Sequence, residues 1–357
     1  MSFRKMMILF LLVLVAGAQW ILPVTAAEPI TYSTIKVDGH PVTMLSMNPA
    51  QTGLKVRPVL ANGKTGQTAD LFSMAAGNKA LAAVNGTFFN AYADMTSWGT
   101  ICINGVLHRT GSGGAVVVYP DNRIRVAPIT VVINGSVDGP SKASLKPWDS
   151  YLKTWYAWDI NRNITDPKAV VVFTPSFGQR MQAPVAMTAT IRNGMVTAVQ
   201  SGQVPVPADG YVIGFGAGAS NYSSRFTVGD RVEMKPQVSY VGGEPINLSG
   251  VNILQAGPML VKNGQYGLSP QDEQKMEPKF YNKCSWSFAG IKNDGVTFVI
   301  GTVSGVNFKS MASTVQKLGM RDAVMLDGNA SSGLYYKGKS LIKPGRKLSN
   351  CLIVTAP

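Results

Sequence analysis

Apolar and polar residues alternate in short runs along most of the chain, the pattern of half-buried β-strands. Tyr32 to Val37 alternates, Asp38-Gly39 turns, and Pro41 to Met47 can return as a hairpin partner. Tight turns are predicted at Asn62-Gly63, Asn104-Gly105, Asn134-Gly135, Asn193-Gly194, Asn263-Gly264 and Asp294-Gly295, pairs that suit positive φ. The stretch from Asn122 to Met234 reads as strands and hairpins, and Gln255 to Lys262 as one strand entering a hairpin. Helical spacing is confined to two segments. Ala69–Asn78 would turn Leu71, Met74 and Ala75 inward, and Ser310–Leu318 carries Met311, Ala312, Val315 and Leu318 on one face, with Gly319 as its stop. The predicted fold is α+β: a β-dominated single domain of mixed or antiparallel sheets with a few helices packed on them.

Two apolar strands discharge into polar, small-residue loops. Leu81–Val84 runs into Asn85-Gly86-Thr87-Phe88-Phe89-Asn90. After an Arg321-Asp322 turn, Ala323–Leu326 runs into Asp327-Gly328-Asn329-Ala330-Ser331-Ser332-Gly333. A strand fixes the position of Asp327, and the small residues let backbone N–H groups approach a ligand. The same text also fits an ordinary helix–strand unit ending in an Asx turn. Convergence of the two loops at one sheet edge is an inference that periodicity does not supply.

Composition narrows the function. The chain has 357 residues, 45% hydrophobic and only 15% charged, enough to bury a large core. Arg4-Lys5, the apolar run Met6–Ala18 and the small residues Val24–Ala27 read as a secretory signal over residues 1–27, leaving 28–357 as the mature domain. An uncleaved anchor is the alternative. The formal charge is +14, and cleavage would take Arg4 and Lys5 with it, leaving +12. Without a long Lys/Arg block, nucleic acid is not expected as a partner; anionic cell-wall or envelope polymers and phosphodiesters suit a secreted basic surface better. Cys102, Cys284 and Cys351 cannot all pair and have no zinc spacing, and His40 and His108 cannot build a histidine-rich metal cluster. No G-x-S-x-G elbow is present. Gly214 to Gly218 is glycine-dense, but no helix follows, so a dinucleotide site is rejected. The aromatic cluster Trp148, Tyr151, Trp155, Tyr156 and Trp158 fits either a core or a sugar-stacking surface.

Taken in order, four segments resemble the phosphodiester glycosidase family, whose best-known member removes N-acetylglucosamine from a phosphodiester on lysosomal mannose. Asn85-Gly86-Thr87-Phe88-Phe89 looks like its Asn-Gly-Gly-Phe-Phe run, and Ala256-Gly257-Pro258-Met259-Leu260-Val261 is similar to its Ala-Gly-Pro-x-Leu-Val run. Leu326 to Ser332 resembles its Leu-Asp-Gly-Gly-Gly-Ser-Ser signature, and Arg346 to Asn350 its terminal Arg-x-Val-x-Asn pattern. The resemblance runs from about Tyr32 to Val354. It implies a secreted hydrolase that cleaves the glycosidic bond of a sugar-1-phosphodiester.

The site expected on this basis has Asp327 and Asn85 as catalytic residues. Thr87, Phe88, Gly257, Trp286, Ser287, Gly328, Asn329, Ser331, Ser332, Arg346 and Asn350 would contact substrate. Glycosidases usually use two carboxyl groups, and Glu277, Asp272, Asp94 and Asp159 are all open as the second. No cofactor is required by this reading, although an Asp-Asn-Ser loop can bind a hard cation such as calcium. The sequence departs from the family at Thr87, Asn329 and Ala330, which replace glycines, and at Trp286-Ser287, which replaces Arg-Thr. Trp286 would then either stack on a sugar or pack in the core while Arg346 or a nearby lysine holds the anion. A metal-dependent phosphodiesterase and a non-catalytic glycan-binding module are the rival readings.

Overall fold

The structure is a computed structural model that describes residues 28–178, 180–182 and 184–357. The expected signal segment, 1–27, lies outside the described residues. Three sheets carry the architecture. The first has seven strands in the order Ile30–Val37, His40–Met47, Phe298–Val306, Cys284–Lys292, Met320–Gly328, Met259–Lys262 and Gln265–Tyr266. The second has five: Lys339–Ile342, Leu334–Tyr336, Ala82–Asn85, Asn350–Thr355 and Lys55–Leu60. The third is built around the long strands Ile124–Asp138 and Arg231–Tyr240. Among the strands of the described residues pairing is antiparallel except where Asp159–Ile160 runs parallel to Val170–Phe173. The β-dominated α+β expectation holds.

Strand alternation explains the layering. In the seven-stranded sheet Leu45, Ala289, Ile300 and Val324 point one way, against Val84, Leu352 and Val354 of the five-stranded sheet. Their neighbours Phe288, Val299, Val303 and Met325 point the other way, against helix Phe308–Lys317. That helix buries Phe308, Met311, Ala312 and Val315, the face its 3.6-residue spacing predicts, and Gly319 follows with φ 76°. Across the five-stranded sheet, Val59, Ala83, Cys351 and Ile353 meet helix Leu71–Gly77 through Leu71, Met74 and Ala75. Helix, sheet, sheet and helix thus stack in sequence, and the two central sheets hold the dry core between them.

Several local expectations fail for identifiable reasons. Asn134-Gly135 is not a turn but the middle of the fifteen-residue strand Ile124–Asp138. Gly135 is there because an added Cβ would sit 2.0 Å from the Glu233 carbonyl oxygen and 2.5 Å from the Trp155 indole. Arg321-Asp322 is strand, not turn, because Gly319 already reverses the chain. Gln255–Lys262 is two strands in different sheets, Asn252–Gln255 and Met259–Lys262, broken at Ala256-Gly257-Pro258. Asp272 and Glu273 open the short helix Pro270–Lys275, which Ser269 and Asp272 close as a capping box.

Candidate active site

The two polar loops do meet. Asp327 ends strand Met320–Gly328, and its backbone N–H donates to the Gly86 carbonyl at 3.1 Å. Its own carbonyl accepts from Asn85 Nδ2 at 2.7 Å, while Asn85 Oδ1 accepts the Gly333 N–H at 3.0 Å. One buried amide therefore ties both ends of the 327–333 loop to the neighbouring sheet. Asn350 does the same for the other loop. Its Oδ1 accepts the Thr87 N–H at 2.9 Å, its carbonyl accepts the Gly86 N–H at 3.2 Å, and its Nδ2 donates to Ser97 and Ser349. Gly86 is obligatory at this crossing, because a Cβ would lie 1.8 Å from Asn350 Oδ1.

The frame presents one carboxylate. Asp327 Oδ1 accepts the Gly328 N–H at 2.8 Å, and the Ser331 hydroxyl also bonds the carboxyl. By exposed area Asp327 is only half-buried, yet protein crowds the carboxyl on nearly every side. The crowding governs: loss of hydration pushes its pKa up to about 6, against the lowering effect of Ser331, Gly328, and the positive charges of Arg346 and Lys279. Arg346 makes no ion pair among the described residues; its Nη2 donates to the Tyr92 hydroxyl at 2.9 Å and its guanidinium lies 5.1 Å from that ring. Lys279 pairs with Glu277 at 2.7 Å. The half-buried Cys284 thiol also faces this site; burial, and then the Asp327 charge, raise its pKa, while the Asn329 N–H lowers it.

Trp286 settles as a core residue and not as a sugar platform. It is 4% exposed, and its Nε1 donates to the Val306 carbonyl at 3.1 Å. The ring stacks on Phe280 with centroids 5.2 Å apart, and its other contact is Gly328, where a Cβ would fall 2.0 Å from a ring carbon. The Ser287 assignment to substrate is corrected as well: it is fully buried, opposite Thr302 on the next strand, and neither hydroxyl has a partner among the described residues. Thr87, Gly328 and Ser332 are also buried; Ser332 Oγ donates to the Ser285 carbonyl. Asn85 and Asn350 are buried and hydrogen-bonded into the frame, so they position the two loops. Asn329 is exposed at φ 55°, a left-handed position that asparagine accepts almost as readily as the family's glycine.

A cavity of about 440 Å³ opens beside this frame, walled by Phe88, Trp98, Gly257, Asp272, Glu277 and Phe280 among others. Asp327 is not in its wall; Phe280 links the two spaces, since it touches Phe88 on one side and Trp286 on the other. Gly257 allows the close approach, as a Cβ there would be 2.9 Å from the Phe88 ring. Of the four candidate second carboxyls, Asp159 is consumed by buried Arg109 and Thr110, Asp94 by Asn90 and the Thr96 N–H, and Asp272 by the helix cap. The Glu277 carboxylate, on the cavity wall, pairs among the described residues with exposed Lys279. Among the described residues no group of three His, Cys, Asp or Glu could hold a metal ion. Sequence reasoning missed Tyr92, Trp98 and Lys279, whose only signal was their nearness to Asp94 and Glu277.

Comparison with known proteins bears on the family and the fold. Residues 186–355 match the NAGPA family model, described as phosphodiester glycosidase. The resemblance read from the motifs therefore holds over that stretch, which contains Asp327 and Arg346 but not Asn85. A hypothetical protein from Synechocystis shares the fold over 92% of this chain, with a TM-score of 0.74 and 21% identity. The chain spans 62% of that protein's length. A Burkholderia pseudomallei K96243 protein described as exported is similar over 88% of this chain and 74% of its own, with a TM-score of 0.71 and 20% identity. A zebrafish N-acetylglucosamine-1-phosphodiester alpha-N-acetylglucosaminidase catalytic domain, auto-inhibited by its pro-peptide, aligns over 92% of this chain and 82% of its own, at 12% identity and a TM-score of 0.47. That last likeness is too distant to argue from. No curated protein matches the chain.

Proposed function

We propose that the chain hydrolyses the glycosidic bond of a sugar-1-phosphodiester at the Asp327 recess. The observation that carries the reading is the strand-end carboxyl of Asp327, held where the two polar loops are tied together, with Arg346 and Lys279 as the cations that act on it. Departure of phosphate from the anomeric carbon leaves an oxocarbenium-like centre, which an ionised Asp327 stabilises or captures. Arg346 and Lys279 hold the phosphate oxygens, the role that Trp286 cannot perform. The leaving group is a phosphate monoester, a stable anion, so little acid catalysis is needed. Glu277, the least committed of the candidate carboxyls, is the group we assign to handling water.

A hard cation such as calcium would find one carboxylate and otherwise neutral oxygens around Asp327, a weak donor set. Exhaustive chelation should therefore leave turnover intact. We place the protein in the envelope or outside the cell, acting on a glycan there. The basic leader Arg4-Lys5 with its apolar run, and the similarity to a protein described as exported, support this. No helix among the described residues is long and apolar enough to cross a membrane. The test is turnover of a panel of sugar-1-phosphate alkyl diesters. Release of free sugar that Asp327→Asn abolishes and Arg346→Gln weakens through KM is expected; no turnover of any diester by folded protein would overturn the reading.

A further inference from the structure

Five aromatic residues crowd the stretch 148–158, and the structure divides them unequally. Trp155 alone serves the core: it is 4% exposed and packs edge-on against Phe226 at 6.2 Å. The other four face solvent, Trp148 at 74%, Tyr151 at 55%, Tyr156 at 43% and Trp158 at 50% exposure. Alternation on strand Thr154–Ala157 explains the split, since Trp155 and Ala157 point inward while Thr154 and Tyr156 point out. Tyr222, on the turn Ala217–Arg225, meets Tyr156 at 5.9 Å. Arg225 joins these rings: its guanidinium lies 4.8 Å from Tyr222 and 5.8 Å from Tyr151, and its Nη1 is fixed on the Thr154 carbonyl at 2.7 Å. It makes no ion pair among the described residues. On the neighbouring 3₁₀ turn Pro147–Lys153, Lys153 and the capping Lys146 outnumber Asp149.

We propose that Tyr151, Tyr156, Tyr222 and Arg225 form a second binding surface, one that takes an acidic glycan strand. The exposed Tyr151 and Tyr156 rings, with half-buried Tyr222 beside them, match the apolar faces and hydroxyl rims of pyranoses. A guanidinium already held in place, with no carboxylate of its own, supplies the site for a sugar carboxylate or phosphate. Neutral glycans would leave that charge unanswered, and a simple polyanion would leave the rings unused. The surface lies on the third sheet and does not depend on the reading of the Asp327 recess.

Affinity electrophoresis of the full chain through gels containing hyaluronan or polygalacturonate tests this, with dextran and polyglutamate as controls. Retardation is expected in at least one acidic polysaccharide and much less in either control. Tyr151→Ala/Tyr156→Ala should weaken it about tenfold or more without lowering the melting temperature. Arg225→Gln should weaken it with both rings intact, and Asp327→Asn should leave it unchanged. Equal retardation by polyglutamate, no retardation in either acidic polysaccharide, or indifference to the tyrosine substitutions would overturn the proposal. So would loss of a dimer in the tyrosine variant, which would make the surface a contact between copies.

Discussion

Replacing Asp327 with asparagine should abolish turnover and make the protein more stable. An aspartate of ordinary value 3.8 is held at about 6 in the folded chain. Because the folded form keeps its proton more tightly than the unfolded chain, stability falls as pH rises from about 4 to about 6 and is level above that. The full cost of ionising the buried group is about 3 kcal/mol, and solvent at its open edge trims this to about 1–3 kcal/mol. Asparagine keeps a carbonyl oxygen for the Gly328 N–H and carries no charge, so it should recover that amount at pH 7. For the roughly 330 described residues this is a rise in melting temperature of about 2–4 °C. Turnover should fall about a hundredfold or more, the scale of an electrostatic or acid–base contribution. Thermal melts at pH 7 and pH 4, beside a kinetic assay, check both parts. A variant less stable than wild type at pH 7, or a gain undiminished at pH 4, would refute the argument from desolvation.

The acid limb of kcat/KM should lie near pH 6, and Arg346→Gln should move it upward, since that cation holds the Asp327 pKa down; a limb that stays put or moves to lower pH would contradict this. Ser331→Ala should shift it the same way by removing a hydrogen bond to the carboxylate. Gly328→Ala should cost about 3 kcal/mol by driving a methyl into the Trp286 ring, and a Trp286→Leu background should relieve much of that in a double-mutant cycle on melting curves. Asn85→Ala should cost about 2–4 kcal/mol, because the Asp327 carbonyl and the Gly333 N–H lose their buried partner, and should slow the remaining folded enzyme at least about tenfold through misplacement of Asp327.

Much of this molecule was legible in its sequence because local chemistry decided it. The helix faces of Leu71–Gly77 and Phe308–Lys317 follow spacing, and Asn62, Asn104, Asn193 and Asn263 adopt the positive φ their Asn-Gly pairs favour. Asp327 stands at the end of its strand, as the switch from apolar run to small polar residues implied. What failed depended on partners distant in sequence. Gly135 looked like a turn glycine, but the ring beneath it belongs to Trp155. Trp286 and Ser287 looked available because a motif aligned them with polar site residues; the seven-stranded sheet turns both inward. Asn85 looked like a ligand-orienting amide, and both ends of that amide are bound to backbone across 242 and 248 residues of chain. Arg346 was marked by its motif and lies against Tyr92, whereas Lys279 and Tyr92 had no pattern to mark them.

Hydrolysis in water enriched with heavy oxygen tests the central claim most directly. If the anomeric carbon is the centre attacked beside Asp327, mass spectrometry will find the label in the released sugar and none in the phosphate. Label in the phosphate would mean that the P–O bond breaks instead, and the assignment of Asp327 to the sugar would be wrong.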